Sequence, residues 1–185
     1  MKRFKGVVLA LLVAMAFSTA WADETTPPVN GRFIGGIGLG GAPQLGGFSD
    51  VYNTGGAGID GYLGFTVDKN LSFVMAIDSF IFSTSNSNVY VGEVNFVPSV
   101  KYAFGNAKTR FYLIGGLGLN DSVAYYQDIY GTSSFSQTNF VIEPGAGVQI
   151  YLNGALNLYV QMKVVNVFAA GDFSYLPITL GLDFK

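Results

Sequence analysis

The last ten residues, Leu176 to Lys185, alternate without a break. Leu176, Ile178, Leu180, Leu182 and Phe184 are apolar, while Pro177, Thr179, Gly181, Asp183 and Lys185 are not. A strand points successive side chains to opposite faces, so this segment has one oily face and one small or polar face. Stretches of the same kind recur from about residue 31 to the end of the chain. The periodicity predicts strands near 31–41, 57–67, 71–82, 89–104, 110–120, 139–152, 155–168 and 175–185. The segments between them run long, short, long, short, long, short, long, with the longest loop expected at 121–138. Asp68-Lys69-Asn70 reads as a tight turn and Asn153-Gly154 as a hairpin turn. That order describes an up-and-down antiparallel barrel of eight strands, an even number that lets the sheet close without an edge.

The N-terminus reads as an export signal. Lys2, Arg3 and Lys5 precede the apolar run Gly6–Phe17, and Ala20-Trp21-Ala22 supplies a small-x-small cleavage site. The expected organisation is a signal peptide at 1–22, a periplasmic lead-in at 23–30 and one barrel domain at 31–185. Three of the ten basic residues lie in the leader. The remaining chain has seven against twelve acids, a net of −5, which argues against a nucleic-acid partner. There is no cysteine, hence no disulfide or thiol chemistry.

Charged residues make up 12% of the chain, against about 25% in soluble domains, and hydrophobic residues make up 50%. Beyond the leader no apolar run is long enough for a helical span. A closed sheet that shows its apolar face to lipid resolves both facts. A soluble barrel would bury that face and show Lys and Glu outward. Here the opposite face holds Gly, Ser, Asn, Tyr and a few charges, which suits a narrow polar lumen.

Strand parity places Arg32, Asp60, Asp78, Glu93, Lys101, Glu143, Lys163 and Asp183 on the lumen face. Counting from the turn centres, Glu143 and Lys163 should form a salt bridge, Asp60 and Asp78 should face one another, and Arg32 should meet Asp183 where the barrel closes. The lumen of an eight-stranded barrel is just wide enough for side chains, so a plug is expected over a cation-preferring path. Pro98 and Pro144 fall mid-strand, where bulges are expected. Tyr102, Phe104 and Phe111 at the short-turn end, with Phe82, Tyr90, Phe168 and Phe173 at the other, are expected to form interfacial aromatic girdles. The loop aromatics Tyr125, Tyr126, Tyr130 and Phe135 are expected to extend the strands beyond the membrane.

Three stretches carry a family resemblance: Gly31-Arg32-Phe33-Ile34-Gly35-Gly36-Ile37-Gly38, Phe111-Tyr112-Leu113-Ile114-Gly115-Gly116-Leu117-Gly118, and Leu176 to Phe184. On these the chain resembles the small outer-membrane β-barrel family of the OmpA/OmpX type, often labelled "porin family" domains. The resemblance implies a monomeric eight-stranded transmembrane barrel in the outer membrane of a Gram-negative bacterium. Its partners would be outer-membrane lipid and lipopolysaccharide, with barrel-assembly machinery during insertion. It also implies that Leu180, Leu182 and Phe184 form the C-terminal assembly signal, although Lys185 makes the aromatic penultimate. No appended peptidoglycan-binding domain is expected.

Enzymatic barrels of this kind rely on a catalytic histidine, and the chain has none. The Gly35-Gly36-Ile37-Gly38 and Gly115-Gly116-Leu117-Gly118 runs lack the following helix of a nucleotide loop. No catalytic residue, metal or cofactor is expected. The reading is a structural or surface-interaction protein acting through its loops, with a small pore as the alternative and an enzyme a distant third.

Overall fold

The computed structural model describes residues 32–46, 52–84, 88–106, 108–128, 131–153, 156–169 and 172–184. The expected leader and lead-in lie outside the described residues. The described elements are all strands: β1 (Phe33–Gly46), β2 (Tyr52–Thr66), β3 (Leu71–Thr84), β4 (Val89–Gly105), β5 (Thr109–Asp128), β6 (Gly131–Ile142), β7 (Gly145–Asn153), β8 (Leu156–Lys163), β9 (Val165–Phe168), β10 (Phe173–Tyr175) and β11 (Ile178–Phe184).

Every pairing is antiparallel. β1 pairs with β2 on one side and with β10 and β11 on the other, so the ladder returns to its first strand. The eleven segments form eight continuous staves. β6 and β7 face β5 in one register, with Ile142 opposite Leu117 and Gly145 opposite Ile114. β9 and β8 likewise face β10 and β11 in one register, Val165 opposite Tyr175 and Met162 opposite Ile178. The interruptions fall at Glu143-Pro144, Val164 and Leu176-Pro177. A proline has no amide hydrogen to give the ladder, which accounts for two of the three. Val164 N–H still donates to Pro144 O (2.8 Å), and Lys163 N–H donates to Pro177 O (3.0 Å).

The bulges expected at Pro98 and Pro144 are absent. β4 runs through Pro98 with Phe96 opposite Leu119 and Ser99 opposite Gly116, an unshifted register. The outward-facing Pro98 ring reaches the exterior, where the sheet has room for it.

Short turns close one end. Asp68 Oδ1 accepts the amides of Asn70 (2.7 Å) and Leu71 (2.8 Å). Asn106 Oδ1 does the same for Lys108 (3.0 Å) and Thr109 (2.8 Å). Each side chain mimics the turn backbone, which is why Asp and Asn suit these places. Gly105 adopts φ +122°, a conformation side chains resist. Gly154 of the expected Asn-Gly hairpin lies outside the described residues.

At the other end the strands outrun their expected limits. Pairing persists to Asp128 opposite Gly131, so most of the loop expected at 121–138 is a β-hairpin arm. Ser133 to Thr138 are exposed on both faces. With neither face buried there is no period of two to read, and the sequence looks like a loop. The chain between β9 and β10 turns back by Phe173 opposite Val167. Above Phe140, β6 therefore pairs with β5 alone among the described residues.

Candidate functional site

The outer surface is oily. Phe33, Ile37, Leu39, Ile59, Leu63, Phe73, Met75, Leu117, Leu119, Val160 and Leu180 are all exposed, with Leu39 at 67%. Leu180, Leu182 and Phe184, the expected assembly signal, stand on this surface. Charge is kept inside: Asp60, Asp78, Glu93, Lys101, Glu143, Lys163 and Asp183 are all buried. This is the inverse of a soluble fold, in which large exposed apolar surface is rare.

Four polar groupings line the lumen. Nearest the turns, Asp183 accepts the Tyr62 hydroxyl (3.0 Å) and the side-chain amides of Gln149 and Asn157. Lys101 Nζ donates to Tyr62 Oη (2.8 Å), lies 3.9 Å from Asp183, and sits 4.4 and 4.3 Å from the ring centres of Tyr62 and Tyr112. A cation between two aromatic faces is favoured, most of all away from water. Midway, Asp60 accepts Tyr159 Oη (2.7 Å) and Gln161 Nε2 (2.8 Å). Gly38 makes that bond possible: a Cβ there would lie 2.6 Å from both Asp60 Oδ1 and Tyr159 Oη.

Asp78 stands directly opposite Asp60 in the β2–β3 register, as the turn count anticipates. The two carboxylates nevertheless take different partners. Lys163 donates to Asp78 and, at 3.2 Å, to Glu143. One ammonium thus serves two carboxylates through Asp78 Oδ2 and Glu143 Oε2, while Asp78 Oδ1 and Glu143 Oε1 accept no hydrogen bond among the described residues. Towards the loops, Glu93 Oε2 accepts Asn120 (2.8 Å) and Ser122 (2.7 Å), and Asn95 bridges Asn120 (2.7 Å) to the Tyr175 hydroxyl (2.7 Å).

Two expectations fail. Arg32 is exposed and does not meet Asp183, because the closing register sets Gly36 opposite Asp183 and leaves Arg32 four residues further toward the turn end. Phe82 and Phe173 are buried and do not belong to an outer girdle. They pack edge-on and stacked against Tyr175, at ring separations of 5.2 and 5.9 Å. With Ala42, Ala76, Phe80, Val97, Val141, Val165 and Val167 they form an apolar core in the loop half of the lumen. Strand parity puts Phe82 inward with Ala76 and Asp78, and an apolar residue on a polar face was the available signal; Phe173 fell in an expected loop, where parity assigns no face. Tyr90 and Phe168 do face outward, as do Tyr102 and Phe111.

No family model matches the chain, and no curated protein does. Solved structures do. Neisserial surface protein A (NspA) is 15% identical with a TM-score of 0.59, over 86% of this chain and 99% of that one. Ail, the attachment invasion locus protein of Yersinia pestis, solved in complex with the heparin analogue sucrose octasulfate, is 13% identical with a TM-score of 0.60, over 84% and 99%. OprG, an outer membrane protein from Pseudomonas aeruginosa, is 11% identical with a TM-score of 0.53, over 84% and 95%. At such identities the likeness is one of fold: the chain has the fold of small outer-membrane β-barrel proteins.

Proposed function

We propose that this protein is exported by a cleaved leader and inserted in the bacterial outer membrane as a monomeric barrel, where it makes contacts at the cell surface. The observation that carries the surface role is the β5–β6 arm. It outgrows the wall, presents Tyr125, Tyr126 and Phe135 to solvent and, among the described residues, offers one unpaired strand edge. Outer-membrane lipid, lipopolysaccharide and the assembly machinery are its proposed partners in the envelope. The lumen favours this reading over a pore, since paired side chains and an apolar core fill its two halves. An enzymatic role has no histidine to work with.

The character of the surface partner follows from charge. The loop-side segments 42–56, 83–88, 121–138 and 169–174 contain Asp50, Asp121, Asp128 and Asp172 and no Lys or Arg. A sulfated sugar such as the heparin analogue bound to Ail is therefore a poor partner, and an uncharged or basic surface a better one. Deleting residues 124–135 across a new two-residue turn should leave the barrel folded and abolish its adhesion to host-cell or matrix preparations. Undiminished adhesion would sink the surface role. In planar bilayers the intact protein should give no discrete current; stepwise conductance altered by Asp60→Asn and Asp78→Asn would establish the pore instead.

A further inference from the structure

The basic residues are sorted by height. Beyond the leader there are seven: Arg32, Lys69, Lys101, Lys108, Arg110, Lys163 and Lys185. Lys101 and Lys163 are inside the lumen. Of the rest, Arg32, Lys69, Lys108 and Arg110 belong to the turn end, before β1, in the β2–β3 turn, in the β4–β5 turn and at the start of β5, while Lys185 lies outside the described residues. Arg32, Lys69 and Lys108 are exposed there. Arg110 ties the two turns together through Lys69 O, Asn70 Oδ1 (3.1 Å) and Ala103 O (3.0 Å). Asp68 is the one acid at this rim among the described residues, and its Oδ1 already holds two amides.

These cations lie beside the aromatic margin of the apolar belt. The Phe104 and Phe111 rings stack 6.1 Å apart next to the β4–β5 turn. Tyr151, exposed on the adjoining stave, donates its amide to Lys108 O (2.9 Å). Exposed tyrosines such as Tyr102 and Tyr151 settle at headgroup depth, so the neighbouring cations stand among headgroups. We infer that the turn-end rim binds the headgroups of anionic phospholipids, such as phosphatidylglycerol, in the periplasmic leaflet. Lys69 and Lys108 supply the two turn contacts and Arg32 a third at the barrel seam. The acidic loop end carries no such surface, so the charge difference also favours one orientation of the barrel. This inference rests on the membrane reading above.

The test measures lipid selectivity at the protein surface. The protein is placed in phosphatidylcholine vesicles with a trace of nitroxide-labelled phosphatidylglycerol or nitroxide-labelled phosphatidylcholine. The motionally restricted fraction of each label is then read by electron paramagnetic resonance. The expected result is a preference of roughly fivefold for the anionic label, in line with the attraction of a surface lysine to an acidic lipid. It should fall with added salt and vanish in the triple variant Arg32→Gln, Lys69→Gln, Lys108→Gln. The variant Asp121→Asn, Asp172→Asn should leave it intact. Equal restriction of both labels by the intact protein overturns the inference while the membrane reading stands. A preference that added salt leaves unchanged overturns it too, and that result does not depend on any variant folding. Retention of the intact protein, but not the triple variant, on acidic cell-wall glycan without lipid selectivity would transfer the rim to that partner. Failure to enter the vesicles at all overturns both readings.

Discussion

Lys163 is the residue whose surroundings have the least slack. It is buried between Asp78 and Glu143, and among the described residues nothing donates to the remaining oxygen of either carboxylate. Removing a buried charge leaves its partners stranded, which typically costs about 3–5 kcal/mol, whereas replacing the whole set by neutral groups costs far less. Lys163→Met should therefore destabilise the barrel by roughly that amount in urea titrations in lipid vesicles. Adding Asp78→Asn and Glu143→Gln to it should recover much of the loss. A single variant as stable as the parent would show that the ammonium is not what neutralises those carboxylates. Strand parity put Lys163 and Glu143 on the lumen face and at similar heights. It carried no hint that Asp78, 85 positions away, completes the trio.

At the scale of the element, the turns are the most sequence-determined parts of the chain. The amides of Asn70, then Leu71, bonded to Asp68 hold its carboxyl below the ordinary value of 3.8, with help from Lys69 and Arg110 nearby. A depressed folded-state value means that this support is complete above the ordinary carboxylate range and lost as the pH falls below 3.8. Hydrogen exchange at the Asn70 and Leu71 amides should accordingly lose its protection in acid, while Asp68→Asn should show protection that no longer changes with pH. Strand ends were less legible than turns. β5 and β6 extend by about eight residues each past the expected limits because a hairpin in water needs no oily face. Pro144 and Pro177 interrupt their staves, yet neither shifts the register, since the flanking pairs on both sides hold it.

The whole molecule is organised by an outward belt and an inward polar column. Leu39, Leu180 and Val160 are register neighbours on adjacent staves and all face outward near mid-height. Leu180→Arg should cost about 2–4 kcal/mol in vesicle unfolding experiments, the penalty of a charge at the bilayer midplane. Tyr102→Arg, at the aromatic margin, should cost about 1 kcal/mol or less. Equal penalties at the two depths would contradict a membrane-spanning belt.

Which side chains face outward from the barrel, and in what order the staves run, was determined by the sequence alone. Both follow from local rules: a strand alternates its side chains, and a turn residue such as Asp68 or Asn106 bonds its own backbone. The partners across the lumen were decided only when the sheet closed. Closure fixes the stagger between first and last staves, and that stagger puts Gly36 beside Asp183 while leaving Arg32 outside. It also brings Tyr62 to Asp183 across 121 positions and Tyr159 to Asp60 across 99. Such separations leave no local trace, because the contact belongs to the cylinder and not to either strand.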